Sequence, residues 1–407
     1  MDRFDAVIMG GGPSGATAAI LLAEAGWSVA LVEQKEFPRR KVCGEYLSAT
    51  NWPLLARLGV AEQFADLAGP PVRETAIFVG DRQYRAKLPE AGDAFGRALS
   101  REKLDSLLLK RAVECGVVLF QPARCTSHTR CGESHSVTIE LHKAPPLEVL
   151  ANIVIAAHGS WEIGSLPTQR QPTPLRGTDW LAFKAHFRDA NLPAGLMPLL
   201  AFPDGYGGMV HCDEARASLS CCIRRHRLER LARTRNISAG EAVLNHIQES
   251  CAAVRAVLES AELVGPWLAA GAIQPGIRPR YRDGIFAVGN AAGEAHPVVA
   301  EGISMAMQSA WLLTERIKHR RGDLKSPAAM SPIANSYSVA WRYAFAPRIY
   351  AAAAIAQWAS RPRLVLAAGP LLRTFPRLLT WGARLSGKSH VVVSSPTGPP
   401  TKECYQA

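Results

Sequence analysis

The sequence is short of several things, and each shortage excludes something. No uncharged apolar run reaches the ~18 residues that would cross a bilayer, so no spanning helix is expected. The nine cysteines contain no Cys-x-x-Cys pair, and their number is odd. That argues against a disulfide framework or a zinc site and for reduced thiols in a cytoplasmic chain, and no His/Cys/Asp grouping has metal spacing. There is no internal repeat and no long low-complexity tract. Nothing resembling a signal or transit peptide precedes the first strand, which starts almost at once. Acid is scarce in the last part. From Ser326 onward nine basic residues (Arg342, Arg348, Arg361, Arg363, Arg373, Arg377, Arg384, Lys388 and Lys402) face one acid, Glu403, and they carry most of the net charge of +12. No nucleic-acid module accompanies them. A basic face interleaved with Tyr, Trp, Phe and Leu suits an anionic membrane surface or an acidic carrier partner, and equally a helical cap with a solvated rim.

What the chain does have begins at Asp5. The strand Asp5-Ala6-Val7-Ile8-Met9 runs into Gly10-Gly11-Gly12-Pro13-Ser14-Gly15, an apolar helix follows to Ala25, and a second strand, Ser28 to Val32, ends on Glu33. This is a complete β-α-β dinucleotide fingerprint. Gly10 serves the tight turn, Gly12 the approach of a pyrophosphate, and Gly15 the close packing of helix on sheet. The helix start offers free N–H groups and partial positive charge to phosphates. Glu33, with Gln34 after it, stands where a carboxylate accepts the hydroxyls of an adenosine ribose. An acid there disfavours a 2′-phosphate, so FAD or NAD is expected rather than NADP.

A second segment chooses between them. Ile285 to Val288 is an apolar strand that ends in Gly289-Asn290-Ala291-Ala292-Gly293-Glu294-Ala295-His296-Pro297, and Glu301-Gly302-Ile303 then opens a helix. Small residues there let a ribityl chain pass, and a helix N-terminus beside the ring would favour the charge of a reduced flavin. The pairing of both segments points to FAD.

Along the chain the pattern predicts a helix over 52–67, strands over 75–88, a helix over 96–112 capped by Ser100, strands at 117–119, 136–141 and 153–157, and a short antiparallel set at 180–186, 199–202, 207–211 and 217–223. Helices follow at 228–232 and 239–258, and at 303–317. The region 333–385 reads as helices broken by Pro347, Pro362, Pro370 and Pro376. The expected fold is α/β: a three-layer Rossmann-like nucleotide domain over 1–74, 97–170 and 262–325. An antiparallel-sheet substrate domain over 75–96 and 171–261 is interposed, and 326–407 forms a basic helical segment.

Gly10-x-Gly12-x-x-Gly15, Lys41-Val42-Cys43-Gly44-Glu45, Arg101-x-x-Leu104-Asp105 and the 289–302 segment resemble the flavoprotein monooxygenase superfamily, and their spelling is most similar to its geranylgeranyl reductase branch. The resemblance spans roughly residues 1–320. It implies that Lys41, Cys43, Gly44 and Arg101 meet the cofactor, that Gly289–Gly293 line its ribityl and phosphate part, and that Glu45 sits near the ring. His296, Pro297, Glu45 and Cys43 are the candidate catalytic residues. Phe202, Tyr206, Gly207 and Gly208, from a glycine-rich strand end, are the candidate substrate residues, although Asp204-Gly205 also reads as a plain hairpin turn. The superfamily has Asp where this chain has Asn290, and an Asp-Gly strand end where this chain has His158-Gly159, which bears on flavin potential and on the handling of NAD(P)H as a transient donor. The Trp-x-Trp-x-Ile-Pro signature of flavin halogenases is absent.

The activity implied first is monooxygenation of a lipophilic, aromatic or carrier-bound intermediate through a flavin C4a-hydroperoxide. The rival is an ene-reductase acting on isoprenoid or polyketide double bonds. A third reading is a flavin-binding partner subunit without catalysis.

Overall fold

The computed structural model describes residues 1–90, 94–321, 327–389 and 391–393. Its first sheet carries the nucleotide fingerprint. Asp2–Met9 lies between Leu147–Ala156 and Val29–Val32, Val118–Phe120 extends that edge, and Ile285–Ala287 extends the other, all parallel. Ala6, Val7, Ile8, Ala30, Leu31, Val154 and Ile155 are fully buried, as expected of parallel strands covered on both faces. The antiparallel hairpin Ala123–Cys131 and Ser134–Leu141 joins the lower part of Leu147–Ala156. The helices Pro13–Glu24, Arg101–Glu114 and Gly302–Ile317 pack together as a layer on this sheet.

The second sheet has seven strands: in spatial order Glu262–Ile273, Trp180–Arg188, Ala217–Arg224, Gly205–His211, Leu196–Phe202, Glu74–Val79 and Arg82–Lys87. Pairing is antiparallel except between Leu196–Phe202 and Glu74–Val79, which run parallel because a long excursion separates them. One face is covered by the helices of 225–257, through Val243, Ile247 and Val254. The other looks toward the nucleotide unit.

Five expectations need correction, the simplest being that the helix expected over 239–258 is two, Ala239–Ser250 and Ala252–Val257, parted by the extended backbone of Cys251. Residues 262–273 do not return to the nucleotide domain but form the long edge strand of the second sheet, paired to Trp180–Arg188. Alternation is weak in Glu-Leu-Val-Gly-Pro-Trp-Leu-Ala-Ala-Gly-Ala-Ile, because an edge strand with one wet face and two register shifts carries little period-2 signal. The helix expected over 52–67 is two, Trp52–Arg57 and Ala61–Leu67, since Gly59 at φ +70° turns the chain between them. The helix expected from Gly96 begins at Arg101, because Arg97–Ala98 pairs with Tyr46–Leu47. Ser100 is its N-cap residue but its side chain does not cap. Instead, carboxylates from elsewhere serve the helix start: Glu45 Oε1 accepts from the Arg101 N–H at 3.0 Å, and Asp213 Oδ1 from the Ser100 N–H at 2.7 Å. Finally, Pro347 breaks nothing. Pro327–Ala359 is one helix that runs through Pro332 and Pro347. The carbonyl that Pro347 leaves without its helical donor belongs to Tyr343, whose side chain is exposed. Among the described residues no helix is long and apolar enough to cross a membrane.

Candidate active site

The site forms where the first sheet's glycine turn, the loop 35–46 and the second sheet converge. Gly10 has φ +110°, and a Cβ there would sit 2.6 Å from the Ala157 carbonyl oxygen, so only glycine lets the two strand ends come together. Gly15 is pressed on the Gly10 carbonyl. A methyl on Gly12 would instead project toward the open cradle, with Arg101 Nη2 3.6 Å away. At the end of the second strand Glu33 accepts from the Gly11 N–H at 2.8 Å and the Lys35 N–H at 2.9 Å, which aims its carboxylate along the cavity wall. Gln34 and Lys35 continue that wall.

Three cations crowd the cradle. Arg101 donates twice to Asp105, at 2.7 Å each. Burial works against its charge, but Asp105 more than offsets that and raises its pKa. The Arg39 guanidinium stands 3.6 Å from Glu33 and 3.8 Å from Asp105, and its buried Nε has no hydrogen-bond partner. Lys41 lies beside them, and burial, then repulsion from Arg101 and Arg39, brings its pKa down to about 8. A lysine depressed by neighbouring cations, next to an unpartnered guanidine nitrogen and a helix N-terminus, has the chemistry of an anion-binding site.

The second segment reaches the same place. A Cβ on Gly289 would lie 2.6 Å from Ser14 Oγ, so the two glycine motifs touch although they are far apart in sequence. Gly289 donates to Ser309 Oγ at 2.6 Å. Asn290 Nδ2 is 3.4 Å from Glu294 Oε1, and Arg278 holds both the Asn290 carbonyl (2.9 Å) and the Glu294 carboxylate (3.4 Å). A carboxylate is therefore present near Asn290 even though the residue itself is neutral. Asn290, His296, Pro297, Gly302 and Ile303 line the cavity, whereas Gly289, Ala291 and Gly293 form its backing, Gly293 against the Trp341 ring.

Glu45 has φ +61°, an uncommon left-handed setting that turns its side chain inward. Its carboxylate is taken up by Lys184 Nζ, by His186 Nε2 at 2.8 Å and by the Arg101 N–H. Burial alone would raise its pKa; the hydrogen bond from His186 and the charge of Lys184 outweigh it and hold the group at about 2. Glu45 is thus an anionic brace between the cofactor loop and the second sheet, already taken up by three donors and held too acidic to carry a proton at neutral pH. With Cys212 it brings three potential ligand atoms within 4.8 Å, but Lys184 already occupies the carboxylate, which leaves a cation no reason to enter. Cys43 is half-buried; its sulfur is 3.4 Å from the Glu45 N–H and contacts Arg101.

On the substrate side Tyr206 projects from the strand Gly205–His211 and its hydroxyl is 2.9 Å from His296 Nδ1. Trp180 packs against both rings. Burial lifts the Tyr206 pKa well above its usual value, and burial followed by the charge of Arg224 lowers that of His296 to about 4, so a protonated phenol faces a neutral imidazole. Gly207 and Gly208 also line the cavity. Phe202 does not: it is fully buried on the opposite face of the sheet, edge-on to His246. Its neighbour Ala201 faces the other way, so one residue of register decides the matter. Residues to which sequence reasoning gave no role are Arg39, Lys184, His186 and Glu294. The strand Trp180–Arg188 did carry a signal, since Trp180, Ala182, Lys184 and His186 share one face and Leu181, Phe183, Ala185 and Phe187 the other. His158 Nδ1–H donates to the Gly159 carbonyl at 3.0 Å, its Nε2 accepts from Thr168 Oγ1 at 3.0 Å, and burial brings its pKa to about 4.

These walls enclose one continuous cavity of about 730 Å³. It runs from the cradle past Cys43 and His296 to an apolar end formed by Met197, Leu199, Ile273, Trp358, Leu372 and Leu379.

Comparison with known proteins agrees with this geometry. A family model described as FAD binding domain matches residues 3–323. Digeranylgeranylglycerophospholipid reductase 2 of Methanopyrus kandleri is 28% identical over 324 residues, which cover 75% of this chain and 74% of that one. Among solved structures, the flavin-dependent brominase Bmp2 superposes with a TM-score of 0.75 at 19% identity, covering 95% of this chain and 94% of its own. A geranylgeranyl bacteriochlorophyll reductase-like protein from Thermoplasma acidophilum gives 0.70 at 18% identity, covering 97% and 94%.

The residues fit FAD. Glu33 would meet the adenosine ribose and the Gly10–Ser14 turn with Arg39, Lys41 and Arg101 the pyrophosphate, and Asn290 lines the same cavity. The unpartnered Arg39 Nε and the mutual repulsion at Lys41 are both relieved by a bound dianion.

Proposed function

This chain belongs to the FAD binding domain family and is an FAD-dependent oxidoreductase, and from that premise we propose that it reduces carbon–carbon double bonds of a long lipophilic substrate. When bound, FAD supplies the hydride and is recharged by an external donor of the reduced-nicotinamide class. The chain's own residues bind, orient and protonate. Arg39, Lys41, Arg101 and the helix start at Pro13 hold the phosphates, and Glu33 the ribose. Glu45 braces the loop 35–46 to the second sheet through Lys184 and His186. The apolar end of the cavity orders the substrate chain and excludes water.

The observation that carries the reading is the Tyr206–His296 pair. Adding hydrogen across a double bond needs one hydride and one proton. With His296 Nδ1–H donating to the phenol oxygen, which Cys222 also contacts, the Tyr206 O–H would give its proton to the second carbon, and the same imidazole N–H would stabilise the phenolate left behind. The lipid reductase relatives, aligned over three quarters of both chains, support this choice of substrate class.

Oxygenation of a similar substrate is the second reading, favoured by the same apolar, water-excluding wall, which such chemistry also requires. One experiment separates them. Enzyme reduced chemically under argon, given a polyprenyl lipid, is expected to turn over once and saturate one double bond per bound flavin. Product that forms only after oxygen is admitted, carrying an added oxygen atom, overturns the reductase reading.

A further inference from the structure

The segment after the long helix has a seven-residue rhythm that the rest of the fold does not need. Three short helices follow one another, Pro362–Ala367, Gly369–Thr374 and Arg377–Ala383. Leu364, Leu371 and Leu378 are 49%, 53% and 43% exposed. The residue after each turns inward: Val365 and Leu372 are buried, and with Leu379 they pack on Ile77, Val79 and Ala201 of the second sheet. Inward contact thus accounts for one residue of each pair and leaves the other in water. Phe375, Trp381 and Leu385 add three more large exposed apolar side chains to the same stretch.

The polar residues between them are of one sign. Arg361, Arg363, Arg373, Arg377 and Arg384 are exposed, and no Asp or Glu occurs between residues 327 and 389. Seven exposed large apolar groups, Leu366 among them, interleaved with five guanidinium groups suit neither plain solvent nor an acidic protein, whose surface would leave the leucines and Trp381 uncovered. They suit the boundary of a bilayer, where acyl chains take the apolar groups and anionic headgroups take the arginines. The face is also continuous with the site, because Leu378 is both exposed and part of the cavity wall, beside Leu379, Gly382 and Ala383.

We propose that the face formed by residues 361–385 docks on the surface of an anionic bilayer, with Leu364, Leu371, Phe375, Leu378 and Trp381 in the acyl boundary and the mouth of the cavity against the lipid. Docking gives a lipophilic substrate a route that avoids water. That purpose rests on the proposed function, whereas docking itself is measured without turnover.

The test is cosedimentation of the full FAD-loaded protein with vesicles of phosphatidylcholine alone or mixed with phosphatidylglycerol. Binding to the mixed vesicles is expected, weakened about tenfold or more on pure phosphatidylcholine and in high salt. The triple variant Arg373→Gln, Arg377→Gln, Arg384→Gln and the double variant Phe375→Ser, Trp381→Ser are each expected to lose about tenfold or more in affinity. All five side chains lie outside the cavity wall, so bound-flavin absorbance is expected to be unchanged and reports that the variants fold; single Trp381→Ser is the milder check. Absence of binding to the mixed vesicles overturns the proposal. So does binding that neither variant alters, or a solution dimer that the Phe375→Ser, Trp381→Ser variant dissociates, which would give the face to a second copy of the chain.

Discussion

The hydroxyl of Tyr206 lies 2.9 Å from Nδ1 of His296, ninety residues away in sequence and on a different structural unit. The strand that carries Tyr206 belongs to the second sheet, and the loop that carries His296 belongs to the nucleotide domain. The contact therefore exists only when the two units close on each other. It follows that the two residues are expected to fail together. Tyr206→Phe should lower kcat about a hundredfold with FAD content unchanged, the scale of a lost general acid. His296→Ala should lower it by about tenfold and steepen the dependence of rate on pH. Single-turnover rates and flavin absorbance check both; a Tyr206→Phe enzyme of normal rate removes the phenol from the mechanism.

Glu45 and Lys184 make another contact between the units, with both side chains almost wholly buried. Glu45→Gln leaves Lys184 buried without a counter-charge, and a loss of about 3–5 kcal/mol is expected. Adding Lys184→Met to that variant should recover much of the stability. Denaturant unfolding of the three proteins measures this, and a double variant as unstable as Glu45→Gln would show that Lys184 is not the source of the cost.

The cradle makes a prediction for the apoprotein. With its pKa at about 8, Lys41 is charged below that pH and neutral above it. A bound dianion favours the charged form, so FAD affinity of the apoprotein is expected to fall as pH rises past about 8. Lys41→Met should bind FAD more weakly and lack that fall. Fluorescence titration of flavin from pH 7 upward, to about 9.5, decides it.

Histidines 158 and 296 have pKa values of about 4 in the folded chain, from burial and nearby cations, against an ordinary value of 6.5. Between those limits the unfolded chain has bound protons that the folded chain has not. Unfolding then takes up protons, so stability is full above about pH 6.5 and is lost as pH falls toward 4. Melting temperature of the apoprotein across that window is expected to drop steadily, and His158→Gln should flatten the slope.

Phe202 supplies a control. It packs on the outer face of the second sheet, so Phe202→Ala should cost about 3–5 kcal/mol of stability while KM for a lipophilic substrate stays unchanged. A raised KM at equal flavin loading would return Phe202 to the substrate wall.

The amino-acid order determined by itself whatever depends on neighbours along the chain. Gly10, Gly12 and Gly15 around Pro13 and Ser14 are legible because a turn, a phosphate approach and a helix packing each constrain one position at a set spacing. Glu33 is legible because a strand of known length must end there. The same holds for the Gly289–Pro297 segment and for most strands of the second sheet, whose period-2 alternation survives burial on one face. Tertiary structure decided the rest. Nothing local says that Glu262–Ile273 pairs with Trp180–Arg188, that Pro347 stays inside a helix, or that Phe202 rather than Ala201 turns away from the cavity. Nor does any spacing join Glu45 to Lys184 and His186, or Tyr206 to His296. Those pairings are set by which faces two separately folded sheets present to each other, and burial of their shared surface, not sequence proximity, brings the charges and protons into register.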